Sequence, residues 1–215
     1  DYDLAPGSGV VDLELGRMDR LTNFEWITDT TVDDGSGWGY LKETPYKTST
    51  ELVHYLIDNV SKNGYLLLNV GPKPDGTLPD EAKALLKDMG KWLAVNGEAI
   101  YGTSNWITHG EGPTHIKKAG AFNEDEKPGY GRKDVRFTLK GDALYATVMG
   151  WPGEYAVIET LKSLYPDEIK SVQMLGVDQE LEWRLTSSAM VIKVLDKKPC
   201  EHAYVFKIVR GQPYK

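Results

Sequence analysis

The spacing of apolar and polar residues divides the chain into three stretches. Residues 1–46 hold Gly, Pro, Asp and Thr in irregular order around one β-like run, Phe24 to Val32, which predicts long ordered loops around a single strand. From Thr48 the period becomes helical: Thr48 and Glu51 have capping-box spacing, and Leu52, Val53, Leu56, Ile57 and Val60 fall on one face. Lys62-Asn63-Gly64 reads as a helix stop with Gly64 in the left-handed position. Tyr65 to Val70 is a near-continuous apolar run, the pattern of a parallel strand buried on both faces. Gly71 to Pro79 leaves the C-terminal end of that strand, where α/β enzymes keep their chemistry. A second helix starts near Pro79, turns Ala82, Leu85, Leu86, Met89, Trp92 and Leu93 inward, and stops at Asn96-Gly97. A helix-strand-helix block gives its strand no neighbour, so partner strands are expected from elsewhere.

After Thr103 the chain crosses two Gly-rich charged segments, Gly110–Pro113 and Asn123–Gly129, and a domain boundary is expected there, dividing residues 1–108 from 109–215. Beyond it the period is two. Val135, Phe137 and Leu139 alternate with polar residues, followed by runs at 144–149, 155–158, 169–175, 181–185, 190–194 and 204–209. Short strands at this spacing, separated by turn signals, predict an antiparallel β-sandwich. The expected fold class is therefore α/β plus all-β.

Composition narrows the functions. At 215 residues, 40% apolar and 27% charged, the chain is an ordinary folded one rather than a disordered one. A net charge of -7 with no basic cluster argues against a nucleic-acid partner, and no apolar run is long enough for a membrane span. The single cysteine, Cys200, rules out an intrachain disulfide. Asp1-Tyr2-Asp3 does not look like the start of a signal peptide. Six Trp and twelve Tyr residues suit stacking on sugar rings and suit a well-packed core equally. His54, His109, His115 and His202 show no metal-ligand spacing with one another or with Cys200, so no metal is expected.

The string from Asn59 through Lys62-Asn63-Gly64-Tyr65-Leu66-Leu67-Leu68-Asn69-Val70-Gly71-Pro72-Lys73-Pro74-Asp75-Gly76 to Pro79 resembles the alpha-L-fucosidases of glycoside hydrolase family 29. The resemblance continues through Gly90-Lys91-Trp92-Leu93 and Asn96–Thr103, and upstream through Trp26-Ile27-Thr28-Asp29-Thr30-Thr31 and Trp38-Gly39-Tyr40. It implies that residues 1–108 are the C-terminal part of a (β/α)8-like TIM barrel and 109–215 a C-terminal β-sandwich. The family's enzymes are longer, so the resemblance also implies that the earlier barrel strands lie in an N-terminal part of the same enzyme, expected as a separate chain or lost by cleavage.

The implied activity is retaining exo-hydrolysis of terminal alpha-L-fucosyl residues by double displacement, which needs two carboxyl groups about 5–5.5 Å apart. Glu14 precedes Trp26 by twelve residues, a distance at which relatives place the general acid/base, and that role is carried onto Glu14, with Asp12 and Glu25 as its nearest competitors. The family's nucleophilic aspartate has no counterpart here, so the isolated chain is expected to be inactive. Asp29, Asp33 and Asp34 read as loop or capping residues, and Asn69, Lys73 and Asp75 as neighbours of the site without a direct catalytic role. Trp38 matches a position where relatives place an aromatic against the methyl-bearing face of fucose, a substrate-binding role. The Trp151-Pro152-Gly153 segment reads as a turn or interdomain contact.

The resemblance implies a fucosylated glycan as substrate, no cofactor, no nucleic-acid or membrane partner, room for a homo-oligomer, and by family habit a secreted, periplasmic or lysosomal site of action. Two alternatives stand beside it. One is a non-catalytic carbohydrate-binding β-sandwich protein, and the other a fucosidase restricted to alpha-1,3/1,4 linkages.

Overall fold

The computed structural model describes residues 8–34, 37–163 and 166–211; the outermost parts of both expected domains, 1–7 and 212–215, lie outside these. Its first layer is a parallel sheet in the order β1 (Val11–Asp12), β2 (Trp26–Thr31), β3 (Gly64–Asn69). Helix α1 (Ser49–Ser61) connects β2 to β3, and α2 (Asp80–Asn96) follows. The expectation of one strand among loops is corrected: the first stretch contributes two strands, and β3 pairs in parallel with β2 over its whole length. The strand therefore has one neighbour from this chain, while its other edge is unpaired among the described residues.

Helix α1 starts as its sequence dictates. Thr48 accepts from the Glu51 amide at 3.1 Å while the Glu51 carboxylate accepts from the Thr48 amide at 2.7 Å, closing the capping box. It ends differently. Asn63, not Gly64, takes the left-handed conformation, with φ of 73°. Gly64 is needed for another reason: a Cβ there would meet the Trp26 ring at 2.4 Å. The glycine lets β3 pass over a fully buried indole.

The helices cover one face of this sheet only. Trp26, Thr28 and Thr30 point toward them and are buried, whereas Ile27, Asp29 and Thr31 share the opposite face with their register partners Tyr65, Leu67 and Asn69. On that face Tyr65 is 49% and Leu67 56% exposed, so burial of β3 on both faces is not what these residues achieve among themselves.

The second half carries β4 (Gly110–Glu111), β5 (Val135–Lys140), β6 (Ala143–Val148), β7 (Tyr155–Ile158), β8 (Ile169–Met174), β9 (Trp183–Leu185), β10 (Met190–Lys193) and β11 (Tyr204–Arg210). Every strand expected from the period-two pattern forms, and β4 is an addition. They make two antiparallel sheets, β4-β5-β6-β11-β8 and β7-β10-β9. Phe137, Leu144, Ala146, Val172 and Phe206 of the larger sheet share one core with Ala156, Ile158, Met190 and Ile192 of the smaller.

The other face of the larger sheet is also covered. Ala143, Tyr145 and Val205 join Leu52, Val53, Leu85, Met89 and Trp92 of the helices in a second core, and the Trp92 indole donates to the Ala203 carbonyl at 2.9 Å. At its centre Asp58 of α1 is fully buried between Lys62, at 2.6 Å, and Arg136 of β5, at 2.7 Å. Burial alone would raise the Asp58 carboxyl, but the Lys62 ammonium and the Arg136 guanidinium hold it well below the usual carboxylate range. The ion triad fixes the helical layer onto the second half.

Candidate active site

The candidate residues stand at the C-terminal ends of the parallel strands. Beyond β1 the backbone stays on β2, with the Leu13 amide donating to the Ile27 carbonyl at 2.9 Å and the Leu15 amide to Asp29 at 3.0 Å. Glu14 lies between these two anchors. Leu15 is left-handed, with φ of 47°, and Gly16 packs so closely on Gly120 that a Cβ would lie 2.0 Å from its carbonyl oxygen. The turn thereby reverses direction, leaving Glu14 on one side and sending Arg17 to the other, where its guanidinium lies 4.3 Å over the Tyr55 ring of α1.

A segment from the second half holds the turn from outside. Phe122 donates its amide to the Glu14 carbonyl at 2.8 Å, Asn123 and Glu124 donate to Leu15, and Gly120 exchanges backbone hydrogen bonds with Arg17. The charged Gly-rich stretch is thus no loose linker.

The side chain of Glu14 is half-buried and accepts a hydrogen bond from the Trp38 indole Nε1 at 3.1 Å. The two site residues expected from the sequence are therefore brought together by direct contact. Trp38 is 38% exposed and is held in turn by β3, because Asn69, its last residue, donates Nδ2 to the Trp38 carbonyl at 2.8 Å. Gly71, just beyond, carries no side chain where a Cβ would lie 2.6 Å from the Gly39–Tyr40 backbone. Asn69 and Gly71 thus seat the Trp38 loop, which bonds the carboxylate. The sequence places them near the site, but nothing in spacing alone discloses that they act through Trp38.

The competing carboxylates separate. Glu25 precedes the N-terminal end of β2, away from this site, where it accepts from the Tyr65 hydroxyl at 2.7 Å. Asp12 ends β1 on the open face beside Asp29. Asp29 is a strand residue and not the expected loop or cap; burial, the Asp12 and Glu14 charges and a hydrogen bond with Asp12 push its carboxyl up, although its own backbone hydrogen bond opposes this. Asp33 accepts from Thr31 at 2.8 Å, and Asp34 pairs with Lys127 at 2.7 Å. Asp75 caps a tight turn by accepting from the Thr77 amide and hydroxyl. His202 bonds Asp88 and Thr50 across the two helices, and no cluster of metal-ligating side chains occurs among the described residues. No helix among them is long and apolar enough to cross a membrane.

Comparison with known proteins gives this geometry a family. A model of alpha-L-fucosidases matches residues 7–98, and a model of the alpha-L-fucosidase C-terminal domain matches 130–209. Tissue alpha-L-fucosidase of Bos taurus is 30% identical over 89% of this chain and 38% of its own length, and the alpha-L-fucosidase of Branchiostoma floridae is 31% identical over 87% and 39%. The crystal structure of Thermotoga maritima alpha-fucosidase in complex with fucose superimposes with a TM-score of 0.70 at 32% identity, over 88% of this chain and 40% of that one. The chain thus spans about two fifths of the length of the curated relatives it matches. With both family models matched in their natural order, and with helices and sheets that follow solved fucosidase structures, the chain belongs to the alpha-L-fucosidase family.

Proposed function

We propose that this chain is the C-terminal portion of a retaining exo-acting alpha-L-fucosidase, with residues 1–108 closing a (β/α)8 barrel and 109–215 forming its β-sandwich. The observation that carries this reading is the Trp38 indole bonded to Glu14 at 3.1 Å at the C-terminal ends of parallel strands, which is where barrel enzymes assemble their sites. The unpaired edge of β3 and its exposed face, with Tyr65 and Leu67, fit a neighbouring strand and a barrel interior supplied by preceding sequence. That sequence also supplies the nucleophilic aspartate. The Thermotoga maritima relative crystallised with fucose supports the sugar.

In this mechanism the preceding aspartate attacks the anomeric carbon while protonated Glu14 donates to the departing glycosidic oxygen. Glu14 then takes a proton from the water that cleaves the fucosyl-enzyme, and the anomeric configuration is kept. The Trp38 N–H bond holds the carboxylate in place across both steps. The indole's exposed surface offers an apolar wall to the methyl group of fucose, leaving no buried hydroxyl to satisfy.

The test uses the complete enzyme that carries this segment. Glu14→Gln is expected to lower kcat/KM on fucosides with poor leaving groups by about 10²–10⁴-fold. Aryl fucosides whose leaving group needs no proton should suffer far less in the first step. Equal loss on both substrate classes, or none, overturns the assignment, and proton NMR of the first-formed fucose anomer decides retention.

A further inference from the structure

On the helix side of the parallel sheet, behind the turn that carries Glu14, lies a cavity of about 200 Å³ with mainly apolar walls. Thr50, His54 and Tyr55 of α1 form one side, and Pro128, Gly129 and Tyr130 the other. Five formally charged side chains also line it, and four of them are paired: Lys47 with Glu124 at 3.5 Å, and Lys127 with Glu51 at 3.3 Å.

The fifth is Arg17, only 4% exposed. It gives one N–H to the Glu126 carbonyl at 3.1 Å and stacks on Tyr55, but among the described residues its Nε–H has no hydrogen-bond partner and no carboxylate pairs with it. Tyr130, 9% exposed, lies with its ring 4.7 Å from the Arg136 guanidinium, and its O–H donates to no acceptor among the described residues. A buried guanidinium left with an unused donor is costly unless something in its surroundings accepts from it.

Buried Lys62 and Arg136 share the single carboxylate of Asp58. His109 is pushed down to about 4, first by burial and then by the Lys62 and Arg136 charges. The space therefore combines apolar walls, surplus positive charge and an unsatisfied donor.

We propose that this cavity binds a small organic monocarboxylate with an apolar body, its carboxylate accepting from Arg17 Nε–H and Tyr130 O–H and its body lying against Tyr55 and Pro128. Size limits the ligand. A cavity of roughly 150 Å³ accommodates benzene, so this one suits a single-ring acid and excludes an oligosaccharide. The site is separate from the Glu14–Trp38 pair and does not depend on the fucosidase reading, because its readout is binding rather than hydrolysis.

The probe is benzoate, titrated by calorimetry and thermal shift into the complete enzyme, with benzyl alcohol as the neutral body and acetate as the charge without a body. Saturable one-to-one binding of benzoate is expected, with both controls weaker by about tenfold or more. Arg17→Met, which keeps a stem over Tyr55, should weaken benzoate by at least about tenfold, and Tyr130→Phe, which removes only the hydroxyl, by about three- to tenfold. No saturable benzoate binding, equal binding of benzyl alcohol, or displacement of benzoate by fucose overturns the proposal. Should Arg17→Met fail to fold, Tyr130→Phe decides, and an unchanged benzoate affinity in that variant refutes the site.

Discussion

Glu14 is held by geometry that no single residue supplies. Its backbone is gripped by β2 and by the 120–124 segment, and its carboxylate by an indole that Asn69 seats. Asn69→Ala should therefore lower kcat while leaving the folded structure intact, because Trp38 would lose the 2.8 Å bond to its carbonyl. We expect a loss of about tenfold or more in kcat/KM with a Tm shift of only a few degrees, and a wild-type rate in the variant would show that the Trp38 loop is seated without Asn69.

Two histidines, His54 buried and His109 half-buried, set a second expectation at this scale. His109 is pushed down to about 4, first by burial and then by Lys62 and Arg136, and burial also lowers His54. A group whose folded value lies below its unfolded value of about 6.5 binds its proton more readily in the unfolded chain, so its full stabilising effect is present above about pH 6.5 and is lost as pH falls. Between about pH 6.5 and 4, His109 should steepen acid destabilisation by up to roughly 1.4 kcal/mol per pH unit. Denaturant midpoints of His109→Gln should decline less over that range, and parallel pH profiles for variant and wild type would refute the cause.

At the scale of elements, the junction between α1 and β5 rests on the buried Asp58–Lys62–Arg136 triad. Replacing Asp58 by Asn leaves two buried cations without their carboxylate, and should cost about 3–5 kcal/mol. Chemical denaturation of the complete enzyme measures this, and a loss below about 1 kcal/mol would mean that the cations find other partners. The crossing of β3 over Trp26 is a separate constraint. Gly64→Ala puts a Cβ 2.4 Å from the ring and should cost about 1–3 kcal/mol, whereas an exposed glycine such as Gly90, with nothing within 4 Å, should tolerate alanine.

The whole molecule is asymmetric in how it uses its sheets. The large antiparallel sheet is covered on both faces, by the small sheet and by the helices, and all six residues of β6 are buried. The parallel sheet is covered by helices on one face and leaves Tyr65 and Leu67 exposed on the other. If preceding sequence completes a barrel, amides along the unpaired edge of β3 should exchange with solvent slowly in the complete enzyme and quickly in this segment produced alone. Equal exchange in the two would argue that nothing docks there.

Local rules in the sequence determined the elements. Capping-box spacing set the start of α1, helical and period-two spacing gave both helices and seven of the eight strands of the second half, and the motif string gave the family and the candidates Glu14 and Trp38. These depend on contacts close along the chain, so they can be read from it. Only the tertiary structure decided what distant segments do to one another: β2 beside β3, helices against the far face of the large sheet, Gly64 serving Trp26, and residues 120–124 clamping the Glu14 turn. A strand's pattern records that a face is apolar but not what covers it, and a polar residue's identity does not say which partner, a hundred positions away, takes its hydrogen bond.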